Sequence, residues 1–306
     1  MTHSQGFGSD KTPSEPQLRA DIVEVGRRMY ARGYTASNDG NISVRLGEDR
    51  LLMTPRSVCK GFMTTDMMCV TDLNGKKLQG ERDPSSEMLM HLEVYRQRPD
   101  ARAVCHAHPP IATGFAVAGI PLDRAVLAEV LTTLGSIPIA DYATPSTSEL
   151  PEAVRKYVKA HDGMLLANHG ALTLGTDLFA AYYKLETIEH FAKISLVARL
   201  LGRENLIARE EVDRLQGLRA NYGIQAPAPI CPDPSALADV LAGSDPVSCQ
   251  VVQSPAGEGR RLVPDPIAPK AIGAAQSGAV PDGDEEIRLT YRELSALIED
   301  AIRSLR

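Results

Sequence analysis

The sequence predicts an α/β (α+β) single domain in which helices flank a central mixed or antiparallel β-sheet. Three observations point there. From about residue 17 to 225, segments with helical spacing alternate with short extended runs. Several extended runs come in pairs joined by tight-turn residues such as Gly47 and the Asn74-Gly75 dipeptide. The chain has 306 residues, 43% of them hydrophobic, enough to bury a substantial core.

Taken in order, QLRADIVEVGRRMYARG carries Leu18, Ile22, Val25 and Met29 at helical spacing, with Gly33 placed to end the helix. NISVRL and RLLMTP read as paired strands around Gly47, and DMMCVTDLNGKKL as a strand, an Asn-Gly turn and a second strand. SSEMLMHLEVYRQ is a helix opened by serines, and ARAVCHA is a strand closed by Pro109 and Pro110, which cannot donate to a sheet ladder. GMLLANHGALTLG offers two short strands around His169-Gly170. DLFAAYYKLETIEHFAKISLVARLLG is a long helix capped by Asp177 and closed by Gly202.

Composition narrows the function. The 33 basic and 39 acidic residues leave a net charge of -6 with no cluster of Lys and Arg to follow a phosphate backbone, so nucleic acid is not an expected partner. Five cysteines without CxxC spacing do not form a disulfide framework and fit a reducing cytoplasm. Residues 1–16 are expected to be disordered. No signal-peptide stretch and no apolar run near the ~20 residues of a membrane span is present, so a soluble protein with no membrane partner is expected.

Chemistry concentrates in AVCHAHPP. Alternate side chains of a strand share a face, so His106 and His108 stand side by side at the strand exit, as two ligands of one metal would. A buried histidine satisfied by a backbone carbonyl is the plainer reading, and a third ligand is needed. Of the seven histidines His169 fits best, because it sits in another apolar strand interrupted at Gly170. Three imidazoles with one open position is a zinc arrangement. His3 lies in the terminus, His91 and His190 on helices, and His161 before a turn; these four are expected to be structural or at the surface. Glu87, following Ser85 and Ser86 at a helix start, is either a first-turn acid on a serine-capped helix or a proton-moving carboxylate beside an anion-binding N-terminus. Asn41, after Gly40, lies in a second candidate anion cradle.

The order of these segments resembles the class II aldolase/adducin family over residues 17–225. The resemblance is carried by GNISVR (40–45), MTPRSVCKG (53–61), PSSE (84–87), HAHPP (106–110), SIPIADYATPSTSEL (136–150) and ANHGAL (167–172). It implies a class II aldolase-like fold and a sugar-phosphate lyase holding one Zn2+ per subunit on His106, His108 and His169, with Glu87 as acid/base. It further implies phosphate binding by Asn41, Thr54, Ser57, Ser85 and Ser86, an active-site tyrosine at Tyr222, and a homotetramer with sites between subunits. Two departures stand out. Arg56-Ser57 replaces the Thr-Gly of related phosphate loops. Leu127 stands where fuculose-phosphate aldolases place a proton-donating tyrosine, leaving Glu129 as a substitute donor. The expected reaction is cleavage of fuculose or rhamnulose 1-phosphate to dihydroxyacetone phosphate and lactaldehyde. Within the family, a pentulose-5-phosphate 4-epimerase or a 3-oxo acid phosphate decarboxylase are the alternatives; outside it, a non-catalytic adducin-like scaffold.

Residues 226–285 hold ten of the 21 prolines and no sustained period, and read as a Pro/Ala/Gly-rich linker. In residues 286–306, Thr290 and Glu293 form a capping box, and Ile287, Tyr291, Leu294, Ile298, Ala301 and Leu305 make one apolar stripe. Docking onto the domain or a coiled-coil seam would account for such a helix. It also resembles the encapsulation peptides of bacterial microcompartment enzymes, which implies a shell protein as partner.

Overall fold

Ser14 accepts a hydrogen bond from Gln17 N at 3.4 Å and opens α1 (Glu15–Ala31), which buries Leu18, Ile22, Val25 and Met29 along one stripe. The helix begins slightly before the expected residue 17 because Pro16 suits a first turn, where no backbone N-H is needed. In this computed structural model the described residues are 13–230, 249–253 and 260–264.

β1 (Asn41–Leu46) and β2 (Arg50–Met53) pair antiparallel around Gly47, whose φ of 72° only glycine adopts freely. β3 (Cys69–Asp72) and β4 (Lys77–Gln79) follow, their turn held by Asp72 Oδ1, which accepts from Asn74 N at 2.8 Å and Lys76 N at 2.9 Å. Then come α2 (Met88–Gln97), β5 (Ala103–Ala107), α3 (Pro110–Val117), α4 (Ala128–Thr133), β6 (Ile139–Ala140) and α5 (Glu149–Val158). β7 (Gly163–Leu166), β8 (Gly170–Gly175), α6 (Leu178–Leu200) and α7 (Arg209–Gly217) complete the set to residue 217.

Eight strands form one sheet in the order β4-β3-β2-β1-β5-β8-β7-β6. Every pairing is antiparallel except β6 with β7, so the sheet is mixed. Strand alternation divides the core. Ala103, Cys105 and Ala107 of β5 pack with Ile22, Tyr182, Leu185 and Phe191 of α1 and α6, while Val104 packs with Met90, Val94 and Val154 of α2 and α5. Burying each large aliphatic contributes about 1.5–3 kcal/mol before chain entropy is counted. His106, two residues after Val104, therefore faces the α2 side.

Cys69 and Cys105 are buried and unbridged. Among the described residues no helix is long and apolar enough to cross a membrane. Inside 226–285, read above as linker, residues 226–230 lie along the domain: Ala226, Ala228 and Ile230 are buried, and Ala228 N donates to the Ala160 carbonyl at 2.8 Å. In the same stretch β9 (Cys249–Gln253) and β10 (Arg260–Pro264) pair antiparallel, with Val251 opposite Leu262. The expected disordered terminus lies outside the described residues up to residue 12, and the helix of 286–306 lies outside them entirely.

Candidate active site

Three local features bring the histidines together. His106 lies in β5, paired with Asn41 on one side and Leu172 on the other. His108 stands just past the strand end, its N-H donating to the Tyr34 carbonyl at 2.9 Å, and the chain turns at once into α3. That turn is capped from α6, where Glu189 accepts from Ile111 N at 3.1 Å and Ala112 N at 2.8 Å. His169 occupies the turn between β7 and β8, which Asn168 makes with a left-handed φ of 55°. Gly170 is required by closeness: a Cβ there would lie 2.5 Å from the Ala107 carbonyl oxygen and 2.6 Å from His108 Cδ2.

The three rings form a near-equilateral triangle with centroid separations of 5.0, 4.7 and 5.0 Å. One nitrogen from each lies within 4.8 Å of the others, and among the described residues this is the His/Cys/Asp/Glu cluster able to hold a metal ion. Glu87 reaches them from the start of α2, with Oε2 3.3 Å from His106 Nε2 and Oε1 3.1 Å from His169 Nε2. Burial alone would raise the Glu87 pKa; the charges and hydrogen bonds of His106 and His169 outweigh it and hold the carboxyl well below its ordinary range. Burial, and then the other two rings, push His108 down, toward its neutral form.

The tautomers test whether a cation fits. His106 Nδ1 lies 2.9 Å from the Ala171 carbonyl, which can only accept, so Nδ1 carries a proton and, in the neutral ring a cation requires, Nε2 is the free ligand nitrogen. His108 Nδ1 lies 3.3 Å from the Asp39 carboxylate, another acceptor, so its Nε2 is bare as well. With both rings neutral, those nitrogens face each other 3.2 Å apart with no proton between them. Ligand nitrogens at ~2.1 Å from a tetrahedral ion stand about 3.4 Å apart, so the spacing suits a shared metal. The carboxylate and carbonyl behind the rings are the outer partners such a site uses.

The remaining expected residues divide. Ser85 is nearly buried, its Oγ accepting from Glu87 N at 3.3 Å, whereas Ser86 and Ser57 are exposed, Ser57 with a φ of 57°. Two residues expected at the phosphate are hydrogen-bonded within the domain. Asn41 is buried and both ends of its amide are engaged, Nδ2 donating to Glu87 Oε2 at 2.7 Å and Oδ1 meeting His91. Thr54 is buried with its hydroxyl accepting from Ile42 N at 3.0 Å. Both brace the site from within, because their place on the sheet turns them toward the core. Glu87 itself is the N-cap residue of α2, with no capping bond from its side chain, so the reading as a dipole-stabilising acid gives way to the histidine contacts.

Glu129 and Tyr222 do not meet the triad within this chain. Glu129 lines a cavity of about 900 Å³ with Arg32, Tyr34, Glu186 and Lys193, and Tyr222 is 68% exposed at the end of a 3-10 turn. Three residues escaped the sequence reading. Asp39 supports His108; Lys60, fully buried, donates to the Asn38 carbonyl at 3.0 Å and the Val58 carbonyl at 2.7 Å; and His91, expected to be structural or superficial, bonds Asn41. Burial pushes the Lys60 pKa down to about 8. The spacing of Glu87 and His91, four apart on one helix face, was the available signal for His91.

A family profile described as the class II aldolase and adducin N-terminal domain matches residues 20–196, more than half of the chain. The chain belongs to that family. Among curated relatives of this class II aldolase-family protein, a 3-oxo-tetronate 4-phosphate decarboxylase from Pectobacterium atrosepticum is 31% identical over 188 residues, 60% of this chain and 86% of the relative. An L-fuculose phosphate aldolase from Methanococcus maripaludis is 33% identical over 177 residues, 58% of this chain and 95% of the relative. A solved L-fuculose 1-phosphate aldolase is similar with a TM-score of 0.63 and 30% identity, covering 71% of this chain and 100% of that one. The class II aldolase-family protein is thus an enzyme, a metal-dependent lyase.

Proposed function

We propose that this protein is a zinc-dependent aldolase that cleaves a ketose 1-phosphate, fuculose or rhamnulose 1-phosphate, to dihydroxyacetone phosphate and lactaldehyde. The reading is carried by one observation: three imidazoles converge on a single carboxylate, with Glu87 3.1–3.3 Å from two of them. His106, His108 and His169 would hold the ion, for which three neutral nitrogens favour zinc over harder cations. When bound, it supplies Lewis-acid stabilisation of negative charge developing on the substrate carbonyl oxygen.

The chain's own groups do the rest. In cleavage the C4 hydroxyl loses its proton, the C3-C4 bond breaks, and its electron pair passes to the C2 carbonyl as an enediolate. Glu87, a carboxylate at rest, takes up a proton from water and delivers it to C3, while the proton of the C4 hydroxyl leaves through Glu129 to solvent. Ser57, Ser85 and Ser86, beside the backbone N-H groups opening α2, bind the phosphate, and Arg56 adds a guanidinium at the loop rim. Glu129 and Tyr222, exposed on their own subunit, act in the site of a neighbour in a homotetramer, Glu129 exchanging the proton of the aldehyde oxygen. Support for assembly comes from Leu196, Val197, Leu200 and Leu201, all exposed at the end of α6. The enzyme acts in the cytoplasm, within a microcompartment if residues 286–306 engage a shell.

A second reading is favoured by the Pectobacterium relative's name and by Arg56, which suits a substrate carboxylate. Decarboxylation of a 3-oxo-tetronate 4-phosphate leaves the same enediolate, and protonation yields the same dihydroxyacetone phosphate. Only the departing fragment differs. Zinc-loaded protein given a panel of these phosphates should release an aldehyde; carbon dioxide instead selects the decarboxylase, an isomeric pentulose phosphate the epimerase. Inertness toward every substrate, with no zinc retained, would leave the adducin-like scaffold.

A further inference from the structure

Behind Glu87, buried side chains form a single line. Asn41 Nδ2 donates to Glu87 Oε2 at 2.7 Å, and His91 Nε2 lies 2.5 Å from Asn41 Oδ1. Ser43 Oγ lies 2.7 Å from His91 Nδ1 and 2.9 Å from the Tyr95 phenol oxygen. His91 and Ser43 are completely buried, Asn41 and Tyr95 nearly so. Two periodicities create the line: Asn41 and Ser43 share a face of β1, and Glu87, His91 and Tyr95 recur every four residues along α2 and its N-cap.

The direction of the line follows by elimination. A carboxylate only accepts, so Asn41 turns its NH2 to Glu87 and its oxygen to His91, which must donate from Nε2. Burial, then the nearby His106, pushes the His91 pKa down to about 3, leaving a neutral ring whose bare Nδ1 accepts from Ser43. The Ser43 oxygen in turn accepts from Tyr95. Each donor thus points toward Glu87, and the buried hydrogen bonds run one way along the line, which makes the arrangement stiff.

We propose that His91 is a positioning residue: by holding the Asn41 amide in one orientation it pins Glu87 Oε2 and leaves Oε1 as the oxygen not committed to the line. Oε1 takes no part in the line and stands 3.1 Å from His169 Nε2. Rotation of the amide by half a turn would face its oxygen against the carboxylate and drive Glu87 off the triad. This inference rests on the role proposed above for Glu87.

Two measurements test it. In full-length protein labelled with 15N-histidine, NMR should find His91 protonated at Nε2 and bare at Nδ1; the opposite tautomer, or a charged ring at neutral pH, overturns the proposal whatever the substrate proves to be. With dihydroxyacetone phosphate as probe, the zinc-loaded wild type should exchange a C3 hydrogen with deuterated water. His91→Leu should lower kcat for this exchange about 10- to 100-fold, the usual cost of losing an outer support, with KM within about twofold and zinc content unchanged. His91→Gln, which keeps an N-H donor, should recover most of the rate. Equal losses in both variants, or loss of zinc and melting temperature in step with rate, would reduce His91 to a packing residue. Absence of exchange in the wild type would count against the proposed function, while the tautomer still decides this inference.

Discussion

His106 Nε2 stands 3.2 Å from His108 Nε2, while the outer nitrogen of each ring is turned onto an acceptor, the Ala171 carbonyl and the Asp39 carboxylate. The two inner lone pairs are therefore held face to face by their surroundings. Removing one outer acceptor should loosen the pair. Asp39→Ala is expected to weaken zinc binding about 10- to 100-fold, read by competition with a chelator, with the melting temperature of the zinc-free protein little changed. Unaltered affinity would show that Asp39 does not orient His108.

Glu87→Gln removes the carboxylate while keeping its volume. If Glu87 carries the proton to carbon, hydrogen exchange into dihydroxyacetone phosphate should fall by about 10²–10⁴, the usual contribution of a positioned acid or base. Zinc content should remain one per chain. Exchange at the wild-type rate would assign the proton to another group.

Gly170→Ala places a methyl 2.5 Å from the Ala107 carbonyl oxygen and 2.6 Å from His108 Cδ2, so strand and ring must part. Overpacking of this kind costs about 1–3 kcal/mol. Chemical denaturation should show that loss, and zinc affinity should drop with it because His108 is the displaced ligand.

His161 offers a pH dependence remote from the metal cluster. It is fully buried, with Nδ1 donating to the Ser136 carbonyl at 3.1 Å, and burial lowers its pKa from 6.5 to about 4 against the raising effect of that carbonyl. The unfolded chain binds a proton at this residue more readily than the folded one. Its contribution is complete above about pH 6.5 and is lost as pH falls toward about 4, amounting to about 3 kcal/mol. His161→Asn, which keeps the donor to Ser136, should flatten the acid limb of stability against pH; an unchanged slope would place the dependence elsewhere.

If residues 286–306 engage a microcompartment shell as proposed, their deletion should spare turnover and abolish co-localisation with shell proteins. Lost turnover would favour a helix that docks on its own domain.

Much of the site was legible because two short periods carry it. Alternation carried through β5 to the residue just past its end set His106 and His108 side by side, and apolar flanks marked His169 and the helix opened by Glu87 as parts of the same sheet-centred domain. Asp39, Lys60 and His91 were less legible, since each acts through a partner distant in the chain: His108 for Asp39, the Asn38 carbonyl for Lys60, Asn41 for His91. A lysine in a loop reads as solvated until the loop is seen to close over it. Asn41 carried a turn-and-anion signal, and strand pairing opposite His106 turned its side chain inward.

Residue order by itself determined the long helices of 15–31, 88–97 and 178–200, the strands that carry the histidines, and which of their side chains share a face, because these depend on local periodicity, turn chemistry and capping. Tertiary structure alone decided which nitrogen of each imidazole looks inward, that Glu87 abandons capping for the histidines, and that Asn41 is an internal brace. Those outcomes depend on acceptors supplied by other strands and helices, brought within hydrogen-bond reach only when the sheet pairs and its two faces are covered.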